Sequence, residues 1–135
     1  MLELIENLKI GKLIVFCNSG ETAEELHSAF QKNELNSGIF YSSKKTRHIT
    51  KKKNEKFLDL HKEQRAITLA RFRSNEINIL VTTDLAARGL DFKDVHHIIQ
   101  FEFPRDILTL LHRFGRTARF FTRFFYDENL LSNLD

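Results

Sequence analysis

Two short segments concentrate side chains suited to phosphate and sugar. The first, Leu80–Phe92, delivers Thr83, Asp84, Arg88, Gly89 and Asp91 just behind the apolar run Ile79-Leu80-Val81. Hydroxyls and backbone N–H groups donate to phosphate oxygens, carboxylates accept from ribose hydroxyls, and a glycine lets backbone come close to a ligand. The same residues also fit an ordinary strand-to-helix turn capped by Asp84, and residue type alone leaves both readings open. The second segment, His112–Arg119, repeats arginine at 113, 116 and 119. On a helix, residues three apart lie near one face, so these cations repel one another unless an anion joins them. Guanidinium forks match phosphate oxygens and keep their charge. The competing reading is a solvated basic helix end interacting with its own dipole.

These segments need elements to hold them. Leu13-Ile14-Val15-Phe16-Cys17 is a continuous apolar run bounded by Gly11-Lys12 and Asn18-Ser19-Gly20, which predicts a strand buried on both faces. Thr22 to Glu25 spells a capping box with Thr22 as N-cap, and Ala23, Leu26 and Phe30 continue at helical spacing. A short strand is predicted over Ser37–Tyr41, a helix from His61 to Ser74, and strands at Ile79–Val81 and Val95–Phe101. Asp106 is placed to cap a helix that Leu110 and Leu111 pin to the core, with Gly115 near its end. Phe120–Tyr126 is aromatic and strand-like. Alternating strands and helices imply crossover units and a mainly parallel α/β sheet. Ligands of such sheets bind beyond the carboxyl ends of the strands, where both polar segments fall.

Composition narrows the function classes. The 135 residues suffice for one ordinary domain, 1–135, with 41% apolar and 29% charged residues, a globular balance. A single cysteine, Cys17, excludes an internal disulfide framework and a multi-cysteine zinc site; in a strand it is expected to be an inert buried thiol. The six histidines show no metal-ligand spacing, and no metal site is expected. No apolar run approaches the roughly 18 residues of a membrane span, and no secretory leader opens the chain. Membrane partners are therefore not expected, and an intracellular setting, cytoplasmic or nuclear, is. Net charge is +3, yet Ser43–Lys56 alone holds seven Lys and Arg against Glu55. That basic stretch reads as a solvated, insertion-like loop attractive to polyanions without sequence preference. A G-x-x-x-x-G-K-[ST] phosphate loop is absent from the chain.

Thr83-Asp-Leu-Ala-Ala-Arg-Gly-Leu-Asp91 and His112-Arg-Phe-Gly-Arg-Thr-Ala-Arg119 closely resemble motifs V and VI of the DEAD-box ATP-dependent RNA helicases, and Ile14-Val-Phe-Cys-Asn-Ser19 is similar to their motif IV. The resemblance covers roughly Gly11 to Arg119. It implies a single RecA-like domain, the C-terminal one, working with an N-terminal RecA-like domain that carries the phosphate loop and the Asp-Glu-Ala-Asp sequence. Arg116 and Arg119 would act as arginine fingers on the ATP γ-phosphate. Asp91 would contact the ribose, and Gly89 would allow close approach. Thr83, Arg65 and Ser19 would contact RNA. His112, Arg88 and Arg113 would couple the two domains, with Phe16 packed beneath the arginines. ATP with Mg²⁺ would be held mainly by the N-terminal domain, and RNA would be gripped by its backbone without sequence preference. The chain departs from the family pattern where Lys62 replaces the glutamine of Q-x-x-R, Phe57-Leu58 replaces His-Gly and Ala118 replaces glycine. The aromatic run directly after Arg119 suggests a shortened domain end. The alternative is a non-enzymatic module of the same fold that binds RNA through residues 43–56 or docks a partner. The RNA, the protein cofactors and the oligomeric state are not legible.

Overall fold

The structure, a computed structural model, describes residues 11–42, 51–84, 92 and 94–115, with 51–61 described as backbone alone. In chain order the elements are β1 (Lys12–Cys17), α1 (Gly20–Lys32), β2 (Ser37–Phe40), α2 (Lys51–Arg73), β3 (Ile79–Thr83), β4 (Val95–Gln100) and α3 (Ile107–Phe114). The strands form one sheet in the order β2-β3-β1-β4, and every pairing is parallel. The crossover through α1 carries the chain outward past β3 to the edge, and the one through α2 brings it back. Right-handed connections then place the two helices on opposite faces.

Strand periodicity sorts the core into two layers. Leu13, Val15 and Cys17 of β1 face Ala23, Leu26 and Phe30 of α1, together with Ile79, Val81, Ile99 and Phe101. Ile14 and Phe16 face the other way, into Phe40, Phe72, Ile77, Leu80, Phe92, Val95 and Ile98. All six residues of β1 are buried, as a central parallel strand requires. At the edge, Gly38 of β2 leaves no room for a side chain. A Cβ there would lie 2.3 Å from Ile77 Cδ1 and 2.8 Å from Thr68 Cγ2, and Ile77 is fully buried. Gly38→Ala is expected to cost about 1–3 kcal/mol through overpacking, read as a lowered midpoint in urea; an unchanged midpoint would mean the β2–α2 contact is loose.

Three local expectations change. The N-cap of α1 is Ser19, not Thr22: the Ser19 hydroxyl accepts from Thr22 N at 3.0 Å, and the helix begins one turn earlier. Ser-x-x-Thr competes with the downstream capping box, and Ser19 stands in the extended conformation a cap needs. The basic stretch, expected as a loop, is already helical at Lys51, so α2 is ten residues longer at its start than the spacing of Ala66, Leu69 and Phe72 implied. Lys51–Arg73 holds neither glycine nor proline, and its Lys, Glu, Gln, Arg and Leu content favours helix without an apolar stripe to advertise it. Third, Leu111 is 56% exposed, with Ile107 and Leu108 exposed beside it and Leu110 half-buried, so the one fully buried side chain of α3 is Arg113. Asp106 does cap α3, accepting from Thr109 N and Thr109 Oγ1 at 2.8 Å each. The aromatic run 120–126 lies outside the described residues.

Gln64, Arg65 and Thr68 of α2 share a groove with Tyr41, the residue just after β2. Since α2 runs back antiparallel to β2, the part before Gln64 extends beyond the strand ends, about 20 Å of helix at 1.5 Å per residue.

Candidate functional site

The carboxyl ends of three strands and the last turn of α3 converge on one side chain. Arg113 is 1% exposed, the largest fully buried residue described. Its Nε donates to Asp84 Oδ1 at 2.5 Å and its Nη2 to Asp84 Oδ2 at 2.7 Å, a bidentate ion pair. Nη2 also donates to Asn18 Oδ1 at 2.8 Å, while Nη1 donates to Gln100 Oε1 at 2.5 Å and the Glu102 carbonyl at 2.8 Å. All five N–H donors are used. The guanidinium carbon sits 5.1 Å from the centre of the Phe16 ring, in cation–π range. Arg113 thus ties the segments after β1, β3 and β4 to α3. The anion it meets is Asp84 of the same domain, which leaves it no free donor for a ligand. Asp84 is accordingly an ion-pair partner and not merely a turn cap.

The other motif residues divide by placement. Thr83 ends β3 and is 7% exposed, paired in register with Cys17. His112 is exposed on α3. Arg88, Gly89, Asp91, Arg116 and Arg119 lie outside the described residues. Ser19 follows β1; its hydroxyl caps α1 and stands 2.9 Å from Thr22 Oγ1. Removing that cap by Ser19→Ala is expected to cost about 1 kcal/mol, read by urea denaturation; a neutral result would mean Thr22 takes over the cap. Arg65 is half-buried and has no hydrogen-bond or ion-pair partner among the described residues. With the sheet order β2-β3-β1, Arg65 beside the end of β2, Thr83 at the end of β3 and Ser19 after β1 form a row along the carboxyl edge.

Electrostatics agree with this division. Burial, and after it the Glu102 carboxylate, pushes the Cys17 thiol far above its ordinary range against the opposing pull of Arg113, so the thiol is inert. Burial holds His27 below its usual range, leaving it neutral at pH 7. Tyr41, partly buried and donating to Glu24, is pushed up to about 12. No group of three or more metal-ligating side chains occurs among the described residues, and no described helix is long and apolar enough to cross a membrane. Sequence spacing missed Asn18, Gln100 and Glu102. Only Gln100 carried a signal, as the one amide inside the strand predicted over Val95–Phe101.

The profile of the helicase conserved C-terminal domain matches residues 1–121. The chain belongs to the helicase conserved C-terminal domain family. Its sheet and flanking helices are the RecA-like fold of DEAD-box C-terminal domains. The "ATP-dependent RNA helicase DBP8" of Gibberella zeae is 37% identical over 111 residues, which cover 79% of this chain and 17% of that protein. Among solved structures, Saccharomyces cerevisiae Dbp5, described as bound to RNA and ADP BeF3, superposes with a TM-score of 0.69 at 25% identity, covering 98% of this chain and 33% of that one. Mss116p DEAD-box helicase domain 2, described as bound to an RNA duplex, gives 0.61 at 28% identity, covering 96% and 47%. This helicase C-terminal domain spans 14–26% of the length of curated relatives that it matches.

Proposed function

We propose that this domain is the C-terminal half of an ATP-dependent RNA helicase. The observation that carries the reading is the row of Arg65, Thr83 and Ser19 along the carboxyl edge. Neighbouring strands are about 4.8 Å apart, so three adjacent strand ends offer a polar line on the scale of successive phosphates. Contacts to phosphate and sugar carry no base information, so this line selects RNA backbone and not sequence. The related Mss116p domain, described as bound to an RNA duplex, supports an RNA-binding role for the C-terminal half.

Nucleotide binds across a cleft shared with an N-terminal RecA-like domain. Arg116 and Arg119 serve as arginine fingers on the terminal phosphate, and Asp91 accepts from the ribose. Arg113 does not join them; it anchors the last turn of α3, from which the chain leads on to them. The Mg²⁺ that accompanies ATP is assigned to the other domain. Exposed Phe103, Ile107, Leu108 and Leu111 at this rim supply an apolar surface for that domain to meet. Closure on ATP bends single-stranded RNA, hydrolysis reopens the cleft, and an ATP- and RNA-using enzyme of this kind works inside the cell.

The test is a fluorescence-anisotropy titration of the 135-residue chain with single-stranded RNA at low and moderate salt. Binding that weakens with salt and drops about tenfold in Arg65→Ala is expected. Unchanged binding by Arg65→Ala, with loss on replacing Lys51, Lys52 and Lys53 by alanine, would overturn the row and favour the basic stretch as a non-enzymatic RNA binder.

A further inference from the structure

The groove beside Arg65 has the form of a ligand site. It holds about 590 Å³ and follows the β2 edge of the described sheet, lined from α1 and α2. Ile39, Tyr41 and Ile67 give it apolar walls, and Ile67 is 52% exposed. Glu24, His27, Ser28 and Gln64 place polar groups among them. Several of these are already committed: Tyr41 Oη donates to Glu24, His27 Nδ1 and Ser37 Oγ are 3.0 Å apart, and Ser28 Oγ donates to the Glu24 carbonyl at 2.8 Å. Arg65 differs, being half-buried in the groove wall without a partner among the described residues. Leaving a partly desolvated guanidinium unpaired is costly, so the site is built for an anion. Beside that cation lies apolar surface with room for far more than a phosphate.

We propose that this groove is a nucleotide subsite for RNA, in which Arg65 holds a phosphate and one base lies against Ile67, Ile39 and Tyr41. The proposal rests on the RNA-binding reading above and adds to it a contact with a base. Every base has an apolar face, so the seat tolerates any base yet requires one to be present. Its position at the β2 end of the carboxyl edge suits a nucleotide that continues the row of Ser19, Thr83 and Arg65.

The experiment compares a single-stranded oligouridylate with a ribose-phosphate strand of equal length that lacks bases. Ile67→Gln and Arg65→Ala are titrated beside the unaltered chain, with thermal melting to confirm folding. Ile67 is exposed on α2, so Ile67→Gln should fold. The unaltered chain should bind oligouridylate about tenfold more tightly than the base-free strand. Ile67→Gln should abolish that difference while leaving base-free binding unchanged, whereas Arg65→Ala should weaken both strands. Equal binding of both strands by the unaltered chain would overturn the base seat, as would an Ile67→Gln variant that keeps the preference. Either result leaves the backbone reading intact, which fails only if Arg65→Ala binds both strands normally. Should Ile67→Gln instead impair capture of an acidic peptide with RNA binding untouched, the groove is a protein-docking site and the subsite is refuted.

Discussion

Arg113→Ala is expected to lower the unfolding free energy by about 3–5 kcal/mol, the cost of breaking a buried ion pair by removing one partner. The substitution removes more than an attraction. It leaves the partly buried Asp84 carboxylate without its partner, frees Gln100 Oε1 and Asn18 Oδ1, and uncovers the Phe16 ring. Native domains are stable by only about 5–15 kcal/mol, so the loss would bring the chain close to its unfolding threshold. Arg113→Lys should recover part of it, since an ammonium keeps the charge but cannot span both Asp84 oxygens while serving Asn18, Gln100 and Glu102. Replacing both charges with apolar residues, Arg113→Met with Asp84→Leu, should cost less than Arg113→Ala alone. Urea denaturation of the four proteins is the check. An Arg113→Ala chain within about 1 kcal/mol of the parent would contradict a buried, saturated guanidinium.

Arg119→Ala in the full-length polypeptide is expected to reduce RNA-stimulated ATP turnover by roughly 10³-fold or more, the range of an arginine finger in phosphoryl transfer. The Michaelis constant for ATP should move only a few-fold, because a finger acts on charge that develops in the transition state and little on ground-state binding. The saturation of Arg113 sharpens this prediction. Of the three arginines spaced three apart, one is fully consumed inside the domain, which leaves Arg116 and Arg119 as the proposed fingers. Steady-state kinetics at several ATP concentrations decide it: parallel losses in turnover and affinity would make Arg119 a binding residue.

The residues differ in how openly the sequence declared them. β1 was legible because a central parallel strand must be apolar on both faces, and the α3 cap because Asp106 precedes a compact apolar run. The parallel architecture followed from alternation alone. The Asp84–Arg113 pair was not, since its members stand 29 residues apart and no spacing rule reaches across a sheet. Both residue types read as surface chemistry in the sequence, because burial is a tertiary fact. The start of α2 was hidden for the opposite reason: helix propensity without amphipathic periodicity looks like a loop. For Ser19 the family resemblance points to an RNA contact, while Ser-x-x-Thr is the nearer signal for its role as a helix cap.

The overhang of α2 has a geometric consequence. A rod standing clear of the strand ends on one flank makes the rim lopsided, with a raised wall on the β2 side and none supplied by that helix on the β4 side. On the β2 flank the wall would hold off a stiff, bulky molecule and leave passage to a slender flexible chain.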